Sequence, residues 1–182
     1  MVSMVVLTGG LMALLAALGL TMAANQTSQQ DLIARQVASE AMESIFNARD
    51  TSQLGFSAIA NTTASPPGIF TPGPLPLKCP GPDGIIGTAD DASCLTAAGA
   101  VCPNAGVECL TEPGPDGILG TADDVIISLN NYTRTILITP LLDGNGNPIQ
   151  TLAQVTITIN YTVPNSGHTK SYVLEEYVSE YH

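Results

Sequence analysis

An eleven-residue motif rich in aspartate and glycine occurs twice in this chain. GPDGIIGTADD occupies residues 81–91 and GPDGILGTADD occupies residues 114–124, and the two copies differ at a single position. Such a duplication does not arise by chance in a chain of 182 residues. Each copy carries three carboxylates, which are Asp83, Asp90 and Asp91 in the first and Asp116, Asp123 and Asp124 in the second.

Three carboxylates in one short loop suggest cation chemistry. Carboxylates held close together repel one another unless they are protonated or share a cation. Ca²⁺ takes roughly six to eight oxygen ligands and accepts carboxylates, backbone carbonyls and water together, whereas Mg²⁺ requires a near-ideal octahedron with few protein ligands. Backbone carbonyls of residues 85–88 and 118–121 stand between the aspartates. We therefore predict two structural Ca²⁺ sites, one in each copy of the motif, although the spacing is not that of an EF-hand.

The alternative interpretation is that both copies are ordinary acidic turns. Asp-Gly pairs and short polar runs are common in turns, where the carboxylates are hydrated. The related segment DGNGN at residues 143–147 also resembles a calcium loop, but a hairpin turn explains it fully.

All four cysteines lie in the region of the motif, at Cys79, Cys94, Cys102 and Cys109. None belongs to a C-x-x-C pair, and no histidine is nearby to share a metal. An even number of cysteines in a glycine- and proline-rich segment is typical of disulfides in an oxidising compartment. Four cysteines allow three pairings and the sequence does not choose among them. We favour Cys79–Cys94 with Cys102–Cys109, because both bonds close short loops.

The N-terminal segment is predicted to be one long helix over residues 1–53. Residues 1–24 are apolar on every side and contain no charged residue, which is typical of a helix buried in lipid or in a bundle. The basic flank of a secretory signal or a membrane anchor is absent. We interpret this absence as a leader that is cut away or lies outside this chain. Beyond Asp31 the apolar residues recur at spacings of three and four, which predicts an amphipathic helix.

The remaining chain is predicted to divide into a loop region and a sheet. Residues 54–124 are rich in proline and glycine and contain the four cysteines and both copies of the motif. Residues 125–182 contain β-branched runs (VIISL, YTRTILITPLL, LAQVTITINYTV and KSYVLEEYVSEY) separated by the turn signals DGNGNP and PNSG. We predict an α+β fold in which these four runs form an antiparallel meander packed on the amphipathic half of the helix.

Several function classes are disfavoured by the composition. The formal net charge is −11, so nucleic acid is an unfavourable partner. The two histidines, His168 and His182, lie in a turn and at the last position, and no nucleophile, phosphate-binding or metalloprotease motif occurs. We therefore predict that the chain is not an enzyme. The sequence also predicts surface glycans, since Asn25, Asn61, Asn131 and Asn160 each begin an N-x-Ser/Thr pattern.

The segment MVSMVVLTGGLMALLAALGLTMAANQTSQQDLIARQVASEAMESIFNARD resembles the long helix of type IV pilins. It is most similar to the minor pilins and pseudopilins, in which a β-sheet follows the helix. The resemblance covers residues 1–53 by pattern and 125–182 by architecture, and residues 54–124 have no counterpart in that family. The chain departs from the family in having no acidic residue before Asp31, where pilins carry a glutamate near the start of the apolar run.

The resemblance implies a structural subunit of an extracellular filament. Family members reside in the inner membrane before assembly, and their apolar half-helices then pack into the core of a helical homopolymer. Two other hypotheses remain: a membrane-anchored, calcium-dependent surface binding module, and a minor pseudopilin at the tip of a secretion system. Stoichiometry separates the last from a major subunit.

Overall fold

The computed structural model describes residues 2–163 and 167–181. It contains two helices, α1 (Val2–Asp50) and the single turn α2 (Pro103–Gly106), and a short 3-10 helix at Phe56–Ala58. The six strands are, in chain order, β1 (Leu75–Pro76), β2 (Cys109–Glu112), β3 (Val125–Ser128), β4 (Tyr132–Leu142), β5 (Pro148–Thr162) and β6 (Thr169–Ser179), and α2 lies between β1 and β2. The predicted α+β class, with a long N-terminal helix and an antiparallel sheet, is confirmed.

The chain divides into two compact units, Met1–Ile33 and Ala34–His182. The described part of the first unit is entirely helical, and an 18-residue stretch of α1 has a mean hydropathy of 1.8 with none of it buried. By length and composition, α1 is able to cross a membrane. Its apolar side chains from Leu7 to Met22 are all exposed.

The second unit is built on a four-stranded antiparallel sheet with the strand order β1-β4-β5-β6. Strand β5 alternates as the sequence predicts, since Val155, Ile157, Ile159 and Tyr161 are buried and the residues between them are not. The amphipathic part of α1 supplies the opposing layer through a face that includes Ala34, Val37, Ala38, Ala41, Met42, Ile45 and Ala48. Two polar contacts join α1 to β6: the Arg35 guanidinium lies 5.6 Å from the ring centroid of Tyr172, and Arg49 donates to the Ser179 carbonyl oxygen.

One predicted strand belongs to a different sheet. The run VIISL forms β3, but β3 pairs with β2 in a separate two-stranded sheet and not with the meander. The physical reason is local: Cys109 lies opposite Ser128 and Glu112 opposite Val125, so β2 and β3 are the arms of a hairpin whose tip is the second copy of the motif. Strand β2 was not predicted, because four residues carry too short a pattern to recognise.

The free edge of β4 is capped by a side chain where β1 ends. Asn61 is 4% exposed, and its Nδ2 donates to the Ile136 carbonyl oxygen at 2.9 Å while its Oδ1 accepts from the Ile138 N–H at 2.8 Å. The amide therefore pairs with β4 as another strand would. This contact fixes the loop that follows α1 against the sheet.

Two local predictions are confirmed and one lies outside the described residues. The disulfides are Cys79–Cys94 and Cys102–Cys109. The DGNGNP segment is a tight hairpin turn in which the Asp143 carboxylate accepts from two backbone N–H groups. Three of the four residues of the PNSG turn, 164–166, are not described.

Candidate functional site

The two copies of the motif adopt the same backbone conformation. Asp83 Oδ1 accepts a hydrogen bond from the Ile85 N–H at 2.8 Å, and Asp116 Oδ1 accepts from the Ile118 N–H at 2.8 Å. Four glycines occupy the left-handed region at matching positions, with φ of 70° at Gly84 and Gly117, 90° at Gly87 and 88° at Gly120. Residues with side chains rarely adopt this conformation, which explains why both copies retain glycine there.

Each loop is closed by equivalent contacts at its base. A Cβ at Gly81 would lie 2.2 Å from the Asp90 carbonyl oxygen, and a Cβ at Gly114 would lie 2.2 Å from that of Asp123. The flanking residues pair across the base as antiparallel bridges, Cys79 with Ala92 in the first copy and Glu112 with Val125 in the second. The duplicated unit is therefore a closed loop with its own stem.

The last aspartate of each copy binds the backbone of its own loop. The Asp91 carboxylate accepts from the Gly87 N–H at 3.0 Å, and the Asp124 carboxylate accepts from the Gly120 N–H at 2.7 Å. These two carboxylates act as anchors that hold the loop turn in place. Their oxygens thus already accept hydrogen bonds from the loop backbone without any cation.

The other two aspartates of each copy lie together. Thr88 Oγ1 donates to Asp90 at 2.5 Å, and this bond is the main reason why the pKa of Asp90 lies below its usual value; hydrogen bonds from Asp83 act in the same direction.

The second copy repeats this pattern. Thr121 Oγ1 donates to Asp123 at 2.6 Å, and the Asp116 N–H donates to the same carboxylate at 3.3 Å. The bond from Thr121 is the main cause of the lowered pKa of Asp123.

The structure thus brings together two of the three predicted ligands in each copy, Asp83 with Asp90 and Asp116 with Asp123. Within the described residues, no group of three or more histidine, cysteine, aspartate or glutamate side chains is arranged around a common point. A Ca²⁺ ion at either loop would take its remaining oxygens from backbone carbonyls and water, as hard cations do. The two calcium sites remain a prediction.

The two copies differ completely in their surroundings. In the first copy, Ile85 and Ile86 are each 3% exposed, whereas in the second, Ile118 is 60% and Leu119 56% exposed. The same sequence in the same conformation is therefore a buried element in one place and a hairpin tip in another. Sequence reasoning could not find this asymmetry, because the two copies are almost identical.

The first copy is seated on α1 and on the residues that follow it. The Ile86 N–H donates to Ser44 Oγ at 3.3 Å, while the same hydroxyl donates to the Ala41 carbonyl oxygen at 2.8 Å. Gln53 Nε2 donates to the Asp83 carbonyl oxygen. The loop thus contacts the helix at the Ser44 hydroxyl, and both of its branched apolar side chains are buried.

A buried arginine lies behind the first copy. Arg134, on β4, is 4% exposed, and its guanidinium lies 3.8 Å from the Asp91 carboxylate. It also donates to the Lys78 carbonyl oxygen at 3.2 Å. Burial raises the pKa of Asp91, and the N–H groups of the loop and the arginine oppose that rise. Burial raises the pKa of Glu108 to about 7, with the negative charge of Glu40 adding to the effect and Arg134 opposing it.

A second candidate site is the exposed first half of α1. Its leucines and methionines are more than half exposed at Leu7, Leu11, Met12, Leu14, Leu15, Leu18, Leu20 and Met22. A contiguous apolar surface of this length marks an interaction with membrane or protein.

Comparison of the chain with protein-family models, with curated proteins and with solved structures finds no match. The resemblance to type IV pilins therefore stays a prediction drawn from the residues themselves.

Proposed function

We propose that this chain is the structural subunit of an extracellular type IV pilus-like filament, assembled through the N-terminal half of α1. The observation that carries the proposal is the set of exposed apolar side chains from Leu7 to Met22 on a helix that continues as the core helix of a folded domain. Burying a single leucine contributes about 1.5–3 kcal/mol, so these side chains strongly favour any arrangement that covers them.

Repetition of one contact among identical chains covers that surface. A contact that joins two different faces of the same molecule and does not close into a ring produces an open helical polymer. The small residues Gly9, Gly10 and Gly19 leave open space on this part of α1, since a Cβ at any of them would meet nothing within 4 Å. Helices that pack closely in apolar surroundings use small residues in this way.

The domain that follows is suited to display outside the cell. Both disulfides lie in the loop region, where each joins one buried cysteine, Cys94 or Cys102, to a neighbouring segment. Disulfides persist in oxidising compartments and stabilise segments with few apolar contacts. The inner membrane holds the chain before assembly, and α1 meets the length and hydropathy that this requires.

Calcium is proposed as a structural component of this domain. Asp83 with Asp90, and Asp116 with Asp123, are paired carboxylates on closed glycine-rich loops. A cation bound by both carboxylates of a pair would stiffen the loop. The ion would stabilise the fold and would have no part in a reaction.

A membrane-anchored, calcium-dependent binding module is the second candidate. It is favoured by the length and hydropathy of α1, which suit a single membrane span as well as a filament core. In that case α1 would stay in the bilayer and the second unit would act as a monomer. A minor pseudopilin at the tip of a secretion system would be distinguished from a major subunit by its low abundance.

The test is electron cryo-microscopy of filaments sheared from cells that produce this chain, prepared with Ca²⁺ and again with a chelator. A core of α1 helices, together with density between the paired aspartates that chelation removes, would support the filament and its metal. Filaments with unchanged loops after chelation would refute the calcium sites alone. The absence of this chain from any filament, with the protein retained in the membrane fraction, would refute the filament and favour the anchored module.

A further inference from the structure

The second copy of the motif exposes an apolar surface whose equivalent is buried in the first copy. The first copy has the same conformation and the same residue types; it buries both of its branched apolar side chains and donates the Ile86 N–H to Ser44 of α1. The second copy holds Ile118 and Leu119 in the equivalent positions, with more than half of each side chain exposed. These two adjacent apolar residues therefore lie exposed at the tip of a hairpin.

The seat of the first copy defines the chemistry that the motif binds. On α1 it includes the hydroxyl of Ser44, which lies in a stretch of helix whose neighbouring residues Ala41 and Ile45 are buried and apolar. The Ser44 hydroxyl donates to the carbonyl oxygen three residues earlier at 2.8 Å, which leaves its oxygen free to accept from the loop. The donor is the Ile86 N–H, and its counterpart in the second copy is the Leu119 N–H.

The exposed half of α1 carries the same arrangement. Thr21 Oγ1 donates to the Leu18 carbonyl oxygen, again three residues earlier and again at 2.8 Å. The surrounding side chains Leu18, Leu20 and Met22 are exposed by 55%, 74% and 65%, and small residues follow at Ala23 and Ala24. A helix surface of the kind that seats the first copy is therefore available around Thr21.

Charge favours the same surface. The chain has a net charge of −11, and the second copy itself carries three aspartates and no basic residue. Like charges facing each other destabilise a contact, so most of the surface of a second molecule repels this loop. Residues 1–30 contain no charged side chain, and an acidic loop can approach them without that repulsion.

We propose that the loop 114–124 of one subunit docks on the Leu18–Ala24 segment of α1 in a neighbouring copy, where Ile118 and Leu119 are buried and Thr21 accepts from the Leu119 N–H. This inference rests on the proposed filament, because it needs a neighbour whose α1 is within reach. It adds a lateral contact, made by the domain, to the assembly of the apolar helices.

The test places a photo-crosslinking amino acid at position 119 of the full chain and irradiates purified filaments. We expect crosslinked dimers whose linked peptides join residue 119 to residues 18–24 of another chain. The matched control carries the same amino acid at position 142, because Leu142 is exposed to a similar extent, 61% against 56%, at the far end of β4. We expect no links from position 142 to that segment.

Each outcome decides one claim. Filaments whose position 119 links elsewhere, or forms no link between chains, would overturn the docking contact and leave the filament intact. If the unmodified chain forms no filaments, the proposed function fails first and the docking contact fails with it. Should the probe at position 119 disturb folding, radical footprinting of the unmodified protein gives the same decision: labelling of Ile118 and Leu119 should fall several-fold on assembly, and unchanged labelling would overturn the contact.

Discussion

The Asp91 carboxylate lies 3.8 Å from the Arg134 guanidinium, and this pair joins the first copy of the motif to the centre of the sheet. Asp91 binds the N–H groups of its own loop, and Arg134 binds the carbonyl oxygen of Lys78, the residue before Cys79. One buried cation thus connects β4, the chain before Cys79 and the first loop. The second copy places Asp124 at the equivalent position, at the tip of a hairpin.

Replacing Arg134 by methionine should destabilise the second unit strongly. The substitution keeps most of the volume but leaves the Asp91 carboxylate without its buried positive charge and the Lys78 carbonyl oxygen without its donor. Removing one partner of a buried ion pair costs about 3–5 kcal/mol. We expect a loss in this range in the free energy of unfolding, measured by urea denaturation of detergent-dispersed protein.

The matched control for that experiment is Arg35→Met. Arg35 is exposed and lies over the ring of Tyr172, an interaction of about 0.5–1 kcal/mol at exposed sites. Both variants remove one positive charge from an acidic chain. Equal losses of stability would show that net charge, and not the buried pair, causes the effect of Arg134→Met.

The sequence predicts most of the secondary structure and only part of the site. The long helix, the strands of β4, β5 and β6 and the hairpin at Asp143 follow from periodicity and turn residues, which are local properties. The partner of β3 depends on a strand of four residues, and the burial of the first loop depends on contacts distant in the chain. Arg134 lies within an apolar run, and no local pattern shows that Asp91 and Glu108 surround it. Near-identical loops could not be told apart until their neighbours were known.

Stability should fall between about pH 4.5 and pH 7. The pKa of Glu108 is raised from 4.5 to about 7 in the folded chain, so the folded state holds a proton that the unfolded state releases. A raised pKa of this kind gives stability that is complete below the unfolded pKa and is lost as the pH rises through the folded pKa. Asp91, whose pKa is also raised, acts in the same direction.

Glu108→Gln isolates this contribution. The amide keeps the shape and cannot ionise, so the difference in unfolding free energy between pH 5 and pH 8 should shrink by on the order of 2 kcal/mol. Glu176→Gln, at an exposed position of β6, is the control and should leave the difference unchanged. A pH dependence that is the same in Glu108→Gln and in the unmodified protein would contradict the assignment.

We expect the aspartates of each loop to have two different roles, as ligands of a cation and as anchors of the loop backbone. Asp90→Asn weakens a proposed cation ligand, so we expect calorimetry to count one bound Ca²⁺ per chain in place of two, with little change in stability in chelator. Asp123→Asn should remove the other ion in the same way. At a Ca²⁺ concentration of 100 times its dissociation constant, each site adds about 2.7 kcal/mol to stability.

Asp91→Asn provides the contrast. Because Asp91 accepts from the Gly87 N–H and faces Arg134, its substitution should lower stability in the presence of chelator as well. If the unmodified chain binds no Ca²⁺ and its melting temperature does not respond to the ion, the two loops are acidic turns. Under that result, Asp91→Asn would still be destabilising and Asp90→Asn would not.

The same substitution made in each loop measures what burial of the side chain contributes to the free energy of unfolding. Ile85→Ala and Ile118→Ala remove the same atoms from the same backbone conformation, but Ile85 is 3% exposed and Ile118 is 60% exposed. In dispersed protein, Ile85→Ala should cost about 2–5 kcal/mol, because it leaves a cavity between the first loop and its surroundings. Ile118→Ala should stay within about 0.5 kcal/mol, as is usual for surface positions. In filaments the stability cost of Ile118→Ala should rise, because docking on a neighbour would bury Ile118. The measurement is the temperature at which Ile118→Ala filaments dissociate, compared with that of unmodified filaments. An Ile118→Ala variant that is as stable as the unmodified protein in both states would show that this side chain stays exposed after assembly.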